Sequence, residues 1–261
     1  MIRYVLLGIL QGLTEFFPVS SSGHLVLAEQ WLNLDPPGVL LEAMLHWGTL
    51  AAIIVVFRKD LVALLNSLKG KGRVELRKDV GSLVAATVPI VVIALLFREG
   101  IQSAFSSLMA VGVGLLITAA VLSIGQVLAR GRSLHPLIRF PDAMAVGLAQ
   151  AASVFPGISR SGLTLSAGRA MGLTAAQAAR FAFLLGIPSL FGAGLLHLLE
   201  AFGTPQVHDW MGICVGALCA FASGWLSLRA ALALIVLGKL WIFAIYCFLL
   251  GGGVLAWSVL A

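Results

Sequence analysis

The chain has 261 residues, of which 60% are hydrophobic and 11% charged, and its mean hydropathy is +1.03, whereas soluble domains carry about a quarter charged residues. A water-soluble fold is excluded, and the expectation is a single membrane domain over 1–261 with no room for a soluble module. The net charge of +6 does not point to nucleic acid, because Lys and Arg fall mostly in short connections between apolar segments, where the bias of cations toward the cytoplasmic side accounts for them.

The first apolar segment, Met1–Leu34, opens like a signal peptide, with Arg3 before the run Tyr4 to Leu10. No small-residue cleavage site follows and Glu15 interrupts it, so it is read as retained. Phe17-Pro18, three serines and Gly23 break the segment in the middle. Proline removes a helix donor and clashes with the preceding turn, while serine and glycine favour non-helical backbone, so two short helices meeting at a loop are expected. Val39–Phe57, Val80–Phe97 and Leu108–Ala129 follow, each near the length that crosses about 30 Å of hydrocarbon. Pro141–Leu173 is broken in the same way, by Phe155-Pro156, Gly157, Ser159, Ser161 and Gly162. Ala176–Leu199, Trp210–Leu228 and about Leu240–Leu260 bring the expected spans to six. Cys214, Cys219 and Cys247 lie inside these last spans without metal-ligand company and read as small hydrophobes.

The connection Arg58 to Asp79 carries Arg58, Lys59, Lys69, Lys71, Arg73, Arg77 and Lys78 against three acids, and Arg130 to Arg139 carries three arginines and no acid. Both are expected on the cytoplasmic face. Arg98 to Ser107 and Glu200 to Asp209, with one base and three acids between them, belong on the opposite face. By this count the first broken segment begins and ends outside and the second inside, so both are re-entrant hairpins. Their breaks also match in step: Gln11 precedes Gly23 by twelve residues and Gln150 precedes Gly162 by twelve, with Phe16/Phe155, Ser20/Ser159 and Ser22/Ser161 aligned. The expected fold is all-α and integral to the membrane, with about six transmembrane helices plus two re-entrant helical hairpins arranged as an inverted-topology repeat. Its halves run roughly 1–130 and 141–261, an architecture that builds a site near the midplane from broken helices.

Gln11 and Glu15 stand four apart, hence on one helix face, and a carboxylate among apolar residues at membrane depth is functional by default. The competing reading is a Glu that snorkels to the outer surface. After Pro18, the residues Ser20, Ser21, Ser22, Gly23 and His24 offer hydroxyls, backbone N–H donors at a helix start and an imidazole able to shuttle a proton. The bland alternative is a serine-rich N-cap with a packed histidine. In the second hairpin Ser159, Arg160, Ser161 and Thr164 place a permanently charged planar fork beside hydroxyls at a helix start, the donor set that a phosphate needs. A cytoplasmic surface arginine is the alternative there, and it better suits Arg169 and Arg180. Glu42 and His46 share a face of the first span and either support Glu15 from behind or bond neighbouring helices.

At Gln11-Gly-Leu-Thr-Glu15-Phe-Phe-Pro-Val-Ser-Ser-Ser-Gly-His24 and Pro156-Gly-Ile-Ser-Arg-Ser-Gly-Leu-Thr164 the sequence closely resembles the two signature motifs of the bacterial undecaprenyl-diphosphate phosphatase family, the bacitracin-resistance type. The resemblance extends over essentially the full length. It implies hydrolysis of undecaprenyl diphosphate to undecaprenyl phosphate and inorganic phosphate, which recycles the lipid carrier of cell-wall synthesis, and it implies bacitracin resistance. It also implies a divalent cation, Mg²⁺ or Ca²⁺, and a site in the bacterial inner (plasma) membrane that opens to the periplasm or outside. By position, Glu15 matches the essential acid and Gln11 a position that is Glu or Gln, both implicated with the cation or the catalytic water. Arg160 matches the diphosphate-binding arginine, with Ser159 and Thr164 beside it. Ser21 matches the proposed nucleophilic serine, and His24 the essential histidine proposed as acid/base or as nucleophile. Gln11 in place of an acid leaves one carboxylate fewer for the metal, so Glu15 must carry more of it.

The catalytic set expected is therefore Glu15, Ser21, His24 and Arg160, with Ser20, Ser22, Ser159, Ser161 and Thr164 for substrate and Gln11 with Glu15 for metal. The partners expected are a polyprenyl diphosphate lipid and the bilayer, with no nucleic acid and, as an option, a homodimer. A polyprenyl-phosphate transporter or flippase is the runner-up, since inverted repeats are transporter architecture, but binding alone would not need Glu15, Ser21 and His24 together. Whether serine, histidine or water attacks is open at this stage.

Overall fold

The structure, a computed structural model, describes residues 1–31, 39–70, 74–130, 133–135, 137–202 and 209–260. Lys71, Arg73 and Arg132, counted above among the connecting cations, and residues 32–34 of the first broken segment lie outside the described residues. The described residues form twelve helices and no strand: α1 (Ile2–Phe16), α2 (Ser21–Trp31), α3 (Val39–Val56), α4 (Arg58–Leu68), α5 (Val74–Leu96), α6 (Arg98–Phe105), α7 (Leu108–Ala129), α8 (Phe140–Ala152), α9 (Arg160–Ala170), α10 (Ala175–Phe202), α11 (Trp210–Val236) and α12 (Trp241–Leu260).

Five helices are long and apolar enough to cross a membrane, α5, α7, α10, α11 and α12, and the count reaches six when α3 is taken with α4 as one broken span. The chain is thus an all-helical, multi-pass membrane protein. The first of the six expected spans differs in form. At 18 residues α3 is about 27 Å long, and the chain bends by 76° after it into α4. Helix α4 begins Arg-Lys-Asp, too polar for hydrocarbon, while Leu64 is buried, so it is an amphipathic helix rather than a plain connection. The sequence reading missed α4, and it missed α6, because both sit inside charged connections and neither carries a span-length apolar run.

Both broken segments are pairs of short helices. Pro18 and Pro156 lie in the interruptions between α1 and α2 and between α8 and α9, where the missing N–H costs no helical bond. Each pair has both of its outer ends at one end of the bundle. Tyr4, near the start of α1, lies against Gly212 at the start of α11, and Trp31, at the end of α2, stacks on Trp257 near the end of α12 with ring centroids 5.9 Å apart. At the opposite end, His135, just before α8, accepts from Thr174 and donates to Gly172, just after α9, and Arg180 pairs with Asp60 at 2.6 Å and Asp79 at 3.2 Å.

Lipid tails are as apolar as leucine, so helices in a bilayer associate through close approach of small residues rather than by expulsion of water. Gly8 and Gly12 of α1 face Gly216, Cys219, Ala220 and Gly224 of α11, and Gly48 of α3 faces Ala217 of the same helix. Across the molecule, Gly147 of α8 faces Ala86 of α5, and Gly114 and Gly125 of α7 face the break before α9 and Ser166 within it. The first leg of each hairpin therefore rests on a span from the other half of the chain: α1 on α11, and α8 on α5.

A side chain at Gly12 would drive into the α11 backbone at Ala220 and Gly224. Gly12→Leu is expected to lower stability by about 1–3 kcal/mol, read as a fall in the thermal unfolding midpoint in detergent. Gly252→Leu, with open space around the added side chain, serves as the control and should leave the midpoint unchanged.

Candidate active site

The two breaks meet. A Cβ on Gly23 would sit 3.0 Å from Gly157 Cα, and one on Gly162 would sit 3.4 Å from Pro18 Cβ, so the start of each inner helix presses on the loop of the other hairpin. The local hydrogen bonding is the same on both sides. Ser20 Oγ accepts from Gly23 N–H at 3.3 Å and lies 3.3 Å from Ser22 Oγ. Ser159 Oγ accepts from Gly162 N–H at 3.1 Å and lies 3.2 Å from Ser161 Oγ. The stepwise match seen in sequence is therefore a repeated N-cap, in which a serine oxygen satisfies one of the orphan donors of a helix start.

Each break is also held from outside by a span. Thr118 Oγ1 of α7 accepts from Ser159 N–H at 2.9 Å and lies 2.9 Å from the Gly157 carbonyl and 3.0 Å from that of Gly114. On the other side Cys247 Sγ of α12 donates to the Pro18 carbonyl at 3.7 Å, and Phe243 of α12 stacks on Phe17. Backbone that has left the helix at this depth must find partners in protein, and these side chains supply them. None of Thr118, Phe243 and Cys247 carried a sequence signal, since each sits in a plain apolar run and only the fold brings it to a break.

Between the breaks the sequence-derived residues converge on one carboxylate. Glu15, 7% exposed, accepts from Ser21 Oγ at 2.6 Å and from Gln11 Nε2 at 3.0 Å through Oε2, while its Oε1 is paired with the Arg160 guanidinium. Arg160 also donates to the Gly186 carbonyl of α10 at 3.1 Å. Glu15 and Gln11 come from α1, Ser21 from the first residue of α2 and Arg160 from the first residue of α9, so four groups from both hairpins form one set. Glu15 does not snorkel to the surface. A carboxylate and a guanidinium buried together depend on one another, because removing either charge would strand its partner in an apolar setting. Ser21, Ser22 and Arg160 keep partial exposure, which is the open side of the set.

His24 lies three residues beyond Ser21 on α2, but its ring turns elsewhere: Nδ1 lies 2.7 Å from the Ser20 carbonyl, and Nε2 lies 2.7 Å from the Tyr246 hydroxyl of α12. Ser20, the one non-glycine with positive φ among the described residues, at 70°, aims its carbonyl along α2 at His24, a conformation that an L residue adopts only when the surroundings compel it. Thr164 is buried and gives its hydroxyl to the carbonyls of Arg160 and Ser161 at 2.8 and 3.3 Å, so it supports the start of α9. Glu42 and His46 do not stand behind Glu15. Glu42 faces His197 of α10 at 3.7 Å, and His46 donates to its own helix carbonyl and stacks on His197, because their shared face of α3 points to α10.

Among the described residues no group of three or more His, Cys, Asp and Glu is arranged to hold a metal ion. An all-protein cage is therefore not present there. Gln11 Oε1 is buried without a partner, while Nε2 of the same amide donates to Glu15 Oε2. An unpartnered amide oxygen and a carboxylate on one helix face are hard donors of the kind that suits a divalent cation completing its shell with substrate phosphate.

Thr118 binds both a carbonyl and an N–H of the same break. Thr118→Val keeps the shape and leaves Ser159 N–H and the Gly157 carbonyl unsatisfied, for an expected loss of about 1–3 kcal/mol. Thermal unfolding in detergent measures it.

The model of the family described as bacitracin resistance protein BacA matches residues 4–253. Similar proteins include one named undecaprenyl-diphosphatase from Syntrophotalea carbinolica, 39% identical over 253 residues that cover 95% of each chain. Others of that name come from Halothermothrix orenii, 36% identical over 250 residues covering 95% of each chain, and from Thermosipho africanus, 39% identical over 252 residues covering 95% of this chain and 96% of that one. With its length matched almost end to end and both breaks inside the matched region, the chain belongs to the bacitracin resistance protein BacA family.

Proposed function

We propose that the chain hydrolyses undecaprenyl diphosphate to undecaprenyl phosphate and inorganic phosphate, a reading supported by its relatives, which are named undecaprenyl-diphosphatase. The observation that carries this reading is the convergence of a serine hydroxyl and an arginine on one buried carboxylate, Ser21 and Arg160 on Glu15. A protein that only bound or moved a lipid phosphate would need the arginine but not an acid bonded to a hydroxyl.

The geometry prepares Ser21 best for attack. Its Oγ forms a bond to the terminal phosphorus as its proton passes to Glu15, and the P–O bond to the lipid phosphate breaks, which releases undecaprenyl phosphate. Water then cleaves the seryl phosphate to inorganic phosphate, and the proton returns to Ser21. Arg160, with guanidinium N–H groups beyond those given to Glu15 and Gly186, and the N–H groups at the starts of α2 and α9 offset charge on the transferring group, where most of the rate gain in phosphoryl transfer lies. His24 Nε2 and water are the rival attackers. A stable phosphate adduct on His24 rather than Ser21 would move the role. Glu15 and Gln11 Oε1 would hold the divalent cation, which offsets phosphate charge when bound.

The opposed ends of the two hairpins, their matching caps and the exchanged packing of α1 on α11 and α8 on α5 support the inverted-repeat reading. The end that holds Arg58, Lys59, Arg77, Lys78, Arg139 and Arg180 is the cytoplasmic one by the positive-inside bias. The first hairpin then opens outward, in a bacterial plasma membrane, with the prenyl tail among the spans. Such a site recycles the cell-wall lipid carrier from the outer face and removes the diphosphate that bacitracin sequesters. All four converging groups come from one chain, so a homodimer is not required to complete the site.

Purified protein with Mg²⁺ or Ca²⁺ should release phosphate from a C15 or C55 prenyl diphosphate. Glu15→Ala, Ser21→Ala and Arg160→Ala should each lower kcat/KM by a factor on the order of 100 or more, and a Ser21→Ala protein with full activity would remove the serine mechanism. Gln11→Glu adds a carboxylate beside Glu15, so the cation concentration for half-maximal rate is expected to fall several-fold in a metal titration. No change would separate Gln11 from the metal.

A further inference from the structure

We infer that Tyr246 is a positioning residue for His24, holding the ring in place and occupying Nε2 until substrate arrives; the inference rests on the phosphatase reading for its kinetic consequence only. Tyr246 lies on α12, the last span, outside both sequence motifs. Its ring is parallel to that of His24, with centroids 5.7 Å apart and planes 8° apart, and its hydroxyl lies 2.7 Å from His24 Nε2. A carbonyl oxygen only accepts, so the 2.7 Å contact of His24 Nδ1 with the Ser20 carbonyl puts the ring proton on Nδ1. Nε2 of the neutral ring then carries a lone pair, and the Tyr246 hydroxyl donates to it. The imidazole is thereby held between two bonds and a stacking surface, one partner from the break of its own hairpin and one from a span.

Two further contacts fix α12 against this hairpin at Phe17 and Pro18, and a third does so at Trp31. Tyr246 is thus presented by a helix clamped on both sides of His24 along α2. Tyr246 is itself 44% exposed, so it is not locked into the core. An Nε2 stripped of its donor is free to accept a proton from the water that cleaves the seryl phosphate and to pass it to the departing inorganic phosphate, and a ring held flat against Tyr246 presents that nitrogen in one direction.

Tyr246→Phe keeps the ring stack and removes the hydroxyl, so the fold is not the variable, and an unchanged thermal midpoint checks that. Two readouts test it. With prenyl diphosphate as substrate, kcat should fall about tenfold or more with KM within about twofold, as expected when a proton-transfer group loses its orientation. Independently of turnover, diethyl pyrocarbonate should modify His24 several-fold faster in Tyr246→Phe than in the natural protein, followed by mass spectrometry with His135 as the internal reference, because a bonded lone pair is a poorer nucleophile. Equal modification rates would overturn the inference whatever the kinetics show, and faster modification with unchanged kcat would overturn the role in the reaction. If the natural protein released no phosphate, the phosphatase reading would fail, while the modification rates would still decide whether Tyr246 holds His24.

Discussion

An ion pair that crosses from one hairpin to the other, Glu15 to Arg160, organises this molecule. Neither charge is stable alone in an apolar setting, where an unpaired ion costs several kcal/mol even after relaxation. Each is brought to the first or last turn of a short helix that stops where its proline and serines dictate, and the two stops face each other. The spans around them need only keep the breaks in register, which small residues at the α1–α11, α8–α5 and α7–α9 contacts allow.

The pair alone would be a structural staple. What turns it into chemistry is that Glu15 Oε2 is still bonded to Ser21 at 2.6 Å, at the open side of the site. The same carboxylate is therefore tied both to the guanidinium and to the hydroxyl that the proposed mechanism employs. The two hairpins repeat the same serine caps but diverge at equivalent places: the residue after the capping serine is Ser21 in one and Arg160 in the other. Each half keeps the shared scaffold and contributes a different functional group.

Much of this was legible in the sequence because membrane depth makes polar residues conspicuous. Glu15, Arg160 and the proline-serine breaks stand out against apolar runs that admit few innocent charges, and the spans follow from their length. The residues that act through tertiary contact were not legible. Tyr246, Thr118 and Cys247 are ordinary members of apolar helices, and only the meeting of α12 and α7 with the breaks gives them a role. Glu42 and His46 illustrate the opposite case: their spacing on one face was readable, but which neighbour that face would meet was not, and it is His197 rather than Glu15. Helices α4 and α6 were hidden because charged connections look alike whether or not they are helical.

A double-mutant cycle on phosphate release, with Glu15→Gln, Arg160→Met and both together, measures the central claim most directly. If the two hairpins form one site through this pair, the double variant should be no more than a few-fold worse than the poorer single variant, because either substitution already disrupts the shared unit. Losses in kcat/KM that simply multiply would contradict the account and make the two hairpins independent contributors.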